Sequence, residues 1–325
     1  MFNSRIVSTG SAVPDFIIDN SMLAELVDTS DEWITTRTGI RNRRISRYKN
    51  TSDLASEAAE KCLKNAGIKV EEIEMIIVAT VTPDTFTPST ACIVQQKIGA
   101  FKASAMDINA ACSGFIYALD IADSMISAGR FKNALVIGAE CLSKITDWKD
   151  RSTCVLFGDG AGAVFIEKSS ESGIIKVSTG AEGDKSGYLI SKALPPRDPF
   201  QNKGSFSNED SYIKMNGQEV FRFATRIMVG SIKKLFDEYK ISHKDIKLII
   251  PHQANLRIIE FASKKLAIPM EKFYVNLQDY GNTSSASIPI ALNEAVEKGM
   301  IEKGDLIIAV GFGGGLTYGS ILIEW

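Results

Sequence analysis

Three strand-like runs in the first half of the chain recur in the second, each roughly 170 residues further on, and such a period implies two copies of one α/β unit. Met75–Thr80 is matched by Leu248–His252. Met106–Ile108 ahead of Cys112 is matched by Phe273–Val275 ahead of Asn282, and Asn133–Gly138 by Asp305–Val310. Within each copy, apolar strand-like runs alternate with helix-like ones, which implies parallel β-α-β units whose sheets are covered on both faces. The chain therefore reads as α/β with duplicated halves, 1–170 and 171–325. Its 325 residues also exceed what one hydrophobic core usually supports, about 250–300. The polar stretch from Lys185 to Tyr212, with Pro195, Pro196 and Pro199, reads as a surface excursion rather than a linker, because periodic elements resume at Met215.

Charge and composition remove several function classes. Lys plus Arg number 37 against 39 Asp plus Glu, a net charge of −2, so no chain-wide basic footprint exists for nucleic acid or an anionic membrane. No apolar run approaches the roughly 18 residues of a membrane span, and the N-terminus lacks a signal-peptide core. The five cysteines (62, 92, 112, 141 and 154) are odd in number and confined to the first half. That is a poor disulfide framework and fits a reduced, cytoplasmic setting. Two histidines without ligand spacing are too few for the common catalytic zinc sets, so no metal is expected.

The polar exceptions to the repeat fall just past strand ends, where sites in open α/β sheets gather. Cys112, in Ala110-Ala111-Cys112-Ser113-Gly114, precedes a helical pattern of Phe115, Leu119, Ala122 and Ile126. A helix N-terminus favours a thiolate, and the small neighbours admit a substrate, so Cys112 is a nucleophile candidate. A small buried hydrophobe is the alternative, and is the reading for the other four cysteines. His252 ends an apolar strand, either as a satisfied core ring or as a site residue, whereas His243 sits in a polar turn. Asn282 lies in Gly281-Asn282-Thr283-Ser284, which by itself reads as a turn opening a helix near Ser284. The runs Gly158–Gly162 and Gly311–Gly315 each precede a strand-like segment rather than a helix. They are therefore weak phosphate signals, and read better as tight turns that bring backbone N–H groups close to a substrate.

Taken in order, six segments resemble the 3-oxoacyl-(acyl-carrier-protein) synthase III family, which initiates bacterial type II fatty-acid synthesis. They are Asp31–Ile34 with Arg37–Ile40, Ala110–Phe115, Gly158–Ala161, Pro251–Asn255, Tyr280–Ser284 and Gly311–Gly315. The resemblance implies the thiolase fold, a duplicated five-layered αβαβα arrangement, and an acyltransferase that needs no cofactor. Its implied substrates are an acyl-CoA and malonyl-acyl-carrier protein, and it implies a homodimer. Cys112 would carry the acyl group, and His252 and Asn282 would donate to the enolate oxygen formed on decarboxylation. The backbone N–H groups of Cys112 and Gly314 would form the oxyanion hole. By the same resemblance, Trp33, Arg37 and Arg151 would grip coenzyme A. Gln253, Ala254, Asn255, Leu256 and Arg257 would meet the carrier protein, with Lys264 and Lys265 extending a basic helix face. Phe86, Thr87 and Phe312 would border the acyl pocket. Many family members place Phe where this chain has Thr87, with Phe86 one residue earlier; that departure implies a deeper pocket for longer or branched primers. Ser285, where Ala is common in the family, is expected to be inconsequential.

Other readings use the same residues. A thiolase would need a second cysteine near the C-terminal glycine run, and the last one here is Cys154. A same-fold synthase of a specialised metabolite would keep the Cys/His/Asn set. A papain-type hydrolase shares the residue types and their order but lacks the duplication.

Overall fold

The computed structural model describes residues 3–171, 173–183, 186–196 and 211–325; Lys185 and Pro199 of the polar stretch lie outside the described residues. The chain begins with β1 (Asn3–Ala12) and a small hairpin, β2 (Ile17–Asp19) with β3 (Asn42–Arg44), which encloses α1 (Asn20–Ala24) and α2 (Asp31–Thr38). Then follow α3 (Thr51–Ala66), β4 (Met75–Ala79), α4 (Thr90–Ile98), β5 (Ser104–Ile108), α5 (Gly114–Ser127), β6 (Asn133–Cys141), α6 (Arg151–Cys154) and β7 (Asp159–Ser169). The second half carries β8 (Ile174–Ala181), β9 (Leu189–Ile190), β10 (Lys214–Met215), α7 (Gly217–Tyr239), β11 (Ile246–Pro251) and α8 (Leu256–Leu266). It ends with α9 (Leu277–Tyr280), α10 (Ser287–Glu297), β12 (Leu306–Gly313) and β13 (Thr317–Glu324).

Among the described residues two large sheets result, ordered β1-β7-β6-β4-β5 and β11-β12-β13-β8, beside the two-stranded pairs β2/β3 and β9/β10. The parallel pair β4/β6 and the antiparallel β6/β7 of the first correspond to β11/β12 and β12/β13 of the second. Their alternating side chains sort the core into three layers. On β4, Met75 and Ile77 face inward to Phe115 and Leu119 of α5 and to Ile288 and Leu292 of α10, which lie between the sheets. Ile76 and Val78 face outward to Leu54, Ala58 and Cys62 of α3 and Val94 of α4. On the far side, Ile249, Ile308 and Val310 meet Phe223 and Ile227 of α7 and Ile258 of α8. The order helix, sheet, helix, sheet, helix is the five-layered αβαβα arrangement expected. Among the described residues no helix is long and apolar enough to cross a membrane.

Three strand and turn expectations are corrected. Phe273–Val275 is not a strand but a single parallel bridge between Phe273 and Ile249. Gln253 takes over the rest of that ladder: its Nε2 donates to the carbonyl of Tyr274 at 3.0 Å, and its Oε1 accepts from the N–H of Asn276 at 3.0 Å. Val155–Phe157 follows the short helix α6, and Phe157 bridges to Asn282. The run Gly158–Gly162 is not a turn; it leads into β7, which pairs with β1 on one side and β6 on the other. The glycine run near the C-terminus is divided, since β12 continues to Gly313 before the chain turns through Gly314–Leu316.

Candidate active site

Cys112 sits on Ala111–Ser113, a single 3-10 turn between β5 and α5. Its counterpart in the second half is Ser284–Ala286, a single 3-10 turn that leads into α10. Both turns begin on a non-glycine residue in the left-handed region, Ala111 at φ 47° and Ser284 at φ 49°, a conformation that costs roughly 1–2 kcal/mol. Neither α5 nor α10 has a side-chain N-cap. Each turn is pressed against a strand of the other half. A Cβ on Gly313 of β12 would come within 2.6 Å of the Cys112 nitrogen, and one on Gly138 of β6 within 2.2 Å of the Ser285 carbonyl. Glycine is required at both crossings, which bring the nucleophile turn and the Asn282 turn to one seam.

A cavity of about 510 Å³ opens at that seam and is lined by Cys112, His252 and Asn282 together, with Trp33 and Arg37 further along its wall. The N–H of His252 continues the β11/β12 ladder by bonding the Val310 carbonyl at 2.8 Å. Its Nδ1 lies 2.7 Å from the Ser287 hydroxyl, and its ring meets Phe312 edge-on at 5.2 Å. Ser287 Oγ also accepts from the N–H of Gln253 at 3.4 Å, and in the tautomer where it donates its own proton to Nδ1 the ring proton sits on Nε2. Burial pushes the His252 pKa down to about 3, so the ring is neutral. Asn282 Oδ1 accepts from the N–H of Ser284 at 2.8 Å, which leaves the Nδ2 donors free. The backbone of Asn282 is fixed by Leu156 O at 2.8 Å and the N–H of Gly158 at 3.0 Å. With the ring proton on Nε2, both side chains are neutral donors.

Cys112 departs from its expected electrostatics. The start of a helix should favour a thiolate, yet burial pushes the thiol up to about 12; an interaction with the Ser284 hydroxyl pulls the other way and the nearby Glu140 adds to the rise. Glu140 is itself fully buried between β6 and the Asn282 turn. It accepts from Thr82 Oγ1 at 2.6 Å, the N–H of Val81 at 3.1 Å and Thr80 Oγ1 at 3.2 Å, and lies 2.8 Å from Ser285 Oγ. Ser285 is therefore not inconsequential, because its hydroxyl links Glu140 to the Ala79 carbonyl at 2.8 Å.

A second cavity, of about 520 Å³, reaches the same cysteine from the other side. Val81, Leu142, Ile145, Phe157, Leu189 and Ile213 supply its apolar wall, and Gly314 and Ser284 also line it. Sequence reasoning missed this wall, whose residues come from separate loops and short elements and form no motif. Phe312 lines the first cavity, against His252, and not this one. Phe86 and Thr87 line neither; both are exposed, Phe86 by 80%.

The remaining expected residues fall around the first cavity. Trp33 lies between two guanidiniums, with Arg37 at 4.8 Å and Arg151 at 4.9 Å from the ring centroid, and Arg151 also donates to the Asp28 carbonyl at 2.7 Å. Ala254, Asn255 and Arg257 line the wall. Asn255 caps α8 and donates to the Arg37 carbonyl at 3.1 Å, and Leu256 packs on Gly39. Gln253 does not belong with a docking surface: it is 1% exposed, and its amide is consumed by Pro251, Tyr274 and Asn276. Of the other cysteines, Cys62, Cys141 and Cys154 are buried and Cys92 is only partly so; all are free thiols. Among the described residues no cluster of three His, Cys, Asp or Glu could hold a metal.

Comparison with known proteins agrees with this geometry. The family description "3-Oxoacyl-[acyl-carrier-protein (ACP)] synthase III" matches residues 106–183, and its C-terminal counterpart matches residues 236–325. A beta-ketoacyl-[acyl-carrier-protein] synthase III of Clostridium perfringens is 55% identical over 325 residues, covering 100% of both chains. The enzyme of that name from Clostridium acetobutylicum is 53% identical over 100% of this chain and 99% of its own. The crystal structure of 3-oxoacyl-[acyl-carrier-protein] synthase III from Aquifex aeolicus superposes with a TM-score of 0.92 at 47% identity, covering 99% of this chain and 100% of that one. The corresponding Thermus thermophilus structure gives 0.91 at 43% identity, covering 99% of each chain. With relatives of this similarity along its whole length, the chain belongs to the 3-oxoacyl-[acyl-carrier-protein] synthase III family of condensing acyltransferases.

Proposed function

We propose that the chain joins an acyl-CoA primer to malonyl-acyl-carrier protein through an acyl-Cys112 intermediate, the step that initiates fatty-acid synthesis. The observation that carries this reading is one cavity shared by a buried thiol and two neutral donors, His252 Nε2 and Asn282 Nδ2. The Cys112 sulfur attacks the primer thioester carbonyl, and the thiol proton leaves with the departing coenzyme A sulfur. The backbone N–H groups of Cys112 and Gly314 hold the oxyanion of that step. Malonyl-acyl-carrier protein then loses carbon dioxide, and the electron pair of the broken bond passes to the thioester oxygen as an enolate. The two donors take the negative charge as it develops, an arrangement worth about 10²–10³ in rate per donor. Neutral donors serve here because they stabilise the charge without first giving up a proton. The enolate carbon attacks the acyl carbonyl, and collapse expels the Cys112 thiolate to give the 3-oxoacyl product.

The indole of Trp33 and the cations Arg37 and Arg151 suit the adenine and phosphates of coenzyme A. The exposed Arg257, with Lys264 and Lys265 along α8, suits an acidic carrier protein. The second cavity suits the primer chain, and its volume with Thr87 in place of Phe favours primers longer or more branched than acetyl. Phe86 and Thr87 would border that cavity from a second copy in a homodimer. The halves divide near residue 170, and the protein works without a cofactor in the cytoplasm. Supplying acyl-CoAs of graded length with malonyl-acyl-carrier protein and analysing the products tests the reading. Formation of 3-oxoacyl-acyl-carrier protein from the longer or branched primers is expected. Release of free acid alone would overturn it, and strict preference for acetyl would remove the primer assignment.

A further inference from the structure

Arg43 is the largest fully buried side chain among the described residues, and the Asp19 carboxylate acts on it only at a distance, without a direct ion pair. Its Nε has no partner at all. Burial draws its pKa down to about 10, which still leaves it charged at neutral pH. A buried charge without a directly paired counter-charge is costly, so its position calls for a reason.

Its contacts supply one. Nη2 donates to Val155 O at 3.0 Å and to Asn20 Oδ1 at 2.8 Å, and Nη1 donates to Ile18 O at 3.1 Å. Val155 opens the segment that grips the backbone of Asn282, with Leu156 accepting from its N–H and Gly158 donating to its carbonyl. The stem of Arg43 packs on the same place, since a Cβ on Gly281 or Gly158 would meet the Arg43 Cβ at 3.3 or 3.4 Å. The other arm runs through Asn20, whose Nδ2 donates to Asp31 Oδ1 at 2.7 Å and to Ile40 O at 2.9 Å. Asp31 lies in the first turn of α2, the helix that carries Trp33 and Arg37.

We propose that Arg43 is a positioning residue that aims the Asn282 amide at the enolate oxygen, with Asn20 tying that aim to the helix of Trp33 and Arg37. The inference rests on the proposed condensation and assigns Arg43 to its second half. An amide displaced by a fraction of an ångström still fills its space but no longer meets the developing charge. Arg43 touches nothing on the Cys112 turn, so acyl transfer itself is spared by its loss, and any slackening of α2 shows only in the KM for acyl-CoA.

The test separates the half-reactions of Arg43→Met and Arg43→Lys, each checked for an unchanged far-ultraviolet circular dichroism spectrum. Labelling of Cys112 at saturating acyl-CoA is expected to stay within about 3-fold of wild type. Condensation by the pre-acylated enzyme should lose about 10–100-fold in kcat for Arg43→Met, with the KM for malonyl-acyl-carrier protein unchanged. Arg43→Lys, which keeps the charge but cannot span three acceptors, should recover part of that loss. If Arg43→Met does not fold, the Lys variant carries the same criterion. Equal loss in both half-reactions, a change confined to the KM for malonyl-acyl-carrier protein, or full condensation by a folded variant would overturn the assignment. Failure of wild type itself to label Cys112 or condense would instead bring down the proposed function.

Discussion

Cys112 is reached by two cavities of similar volume, about 510 and 520 Å³, both walled largely by apolar side chains but unlike in the charged groups and donors they hold. On one side stand Arg37, Arg257, His252 and Asn282, two cations and two neutral donors, among apolar residues such as Phe221, Phe223 and Phe312. On the other stand Val81, Leu142, Ile145, Phe157 and Leu189, and among the described residues no charged side chain lines it. The difference assigns a task to each side: where charge must be bound or stabilised, cations and donors are set into the apolar wall, and where only a hydrocarbon must be held no charged side chain among the described residues is present. It also accounts for the thiol itself, which burial holds protonated until a substrate arrives.

The largest expected effect is on that thiol. With its pKa pushed up to about 12, the thiolate fraction is small at neutral pH and grows with every pH step below that value. Alkylation of Cys112 by iodoacetamide should therefore rise about tenfold per pH unit, near 10³ from about pH 7 to 10, without a plateau. A plateau near neutrality would mean that the helix start outweighs burial. Next come the donors. His252→Ala and Asn282→Ala should each slow condensation by about 10²–10³ while Cys112 acylation stays within about tenfold of wild type. Equal losses in both half-reactions would erase the division of labour between the two walls. Filling the apolar side with Ile145→Trp should cut kcat/KM for longer acyl-CoAs by about 10–100-fold and spare acetyl-CoA. Uniform loss across chain lengths would show that the primer lies elsewhere. The smallest effect belongs to the mouth of the polar cavity. Arg37→Ala should raise the KM for acyl-CoA by about 5–10-fold and leave that for a short acyl-cysteamine thioester unchanged, because only coenzyme A carries phosphates. Comparing the two donors in steady-state assays checks this.

The same comparison explains what the sequence made legible. On the polar side Cys112 and His252 follow strands, so their places in the repeat marked them as candidates, whereas Asn282 follows the short helix α9, read by itself as a turn residue, and took its role only from the resemblance. The repeat in turn foretold the paired sheets. The apolar side draws single residues from a loop after β4, a turn after β6 and the β9 strand, all ordinary hydrophobes whose proximity only the folded chain creates. Gln253 misled because it adjoins His252 in sequence, yet its amide is turned inward to replace a missing strand ladder. Ser285 misled because a hydroxyl among small residues carries no mark of the buried Glu140 it meets. Phe273–Val275 had strand composition but no backbone partners beyond Ile249.

The central claim is that one sulfur receives a primer from the polar side, houses its chain on the apolar side and surrenders it to a carbon nucleophile. Peptide-mapping mass spectrometry of the protein after incubation with acyl-CoA, and again after adding malonyl-acyl-carrier protein, measures this directly. The account predicts the acyl mass on the Cys112 peptide alone, then its disappearance with matching appearance of 3-oxoacyl-acyl-carrier protein. An acyl group on another residue, or its loss from Cys112 as free acid without a condensed product, would contradict it.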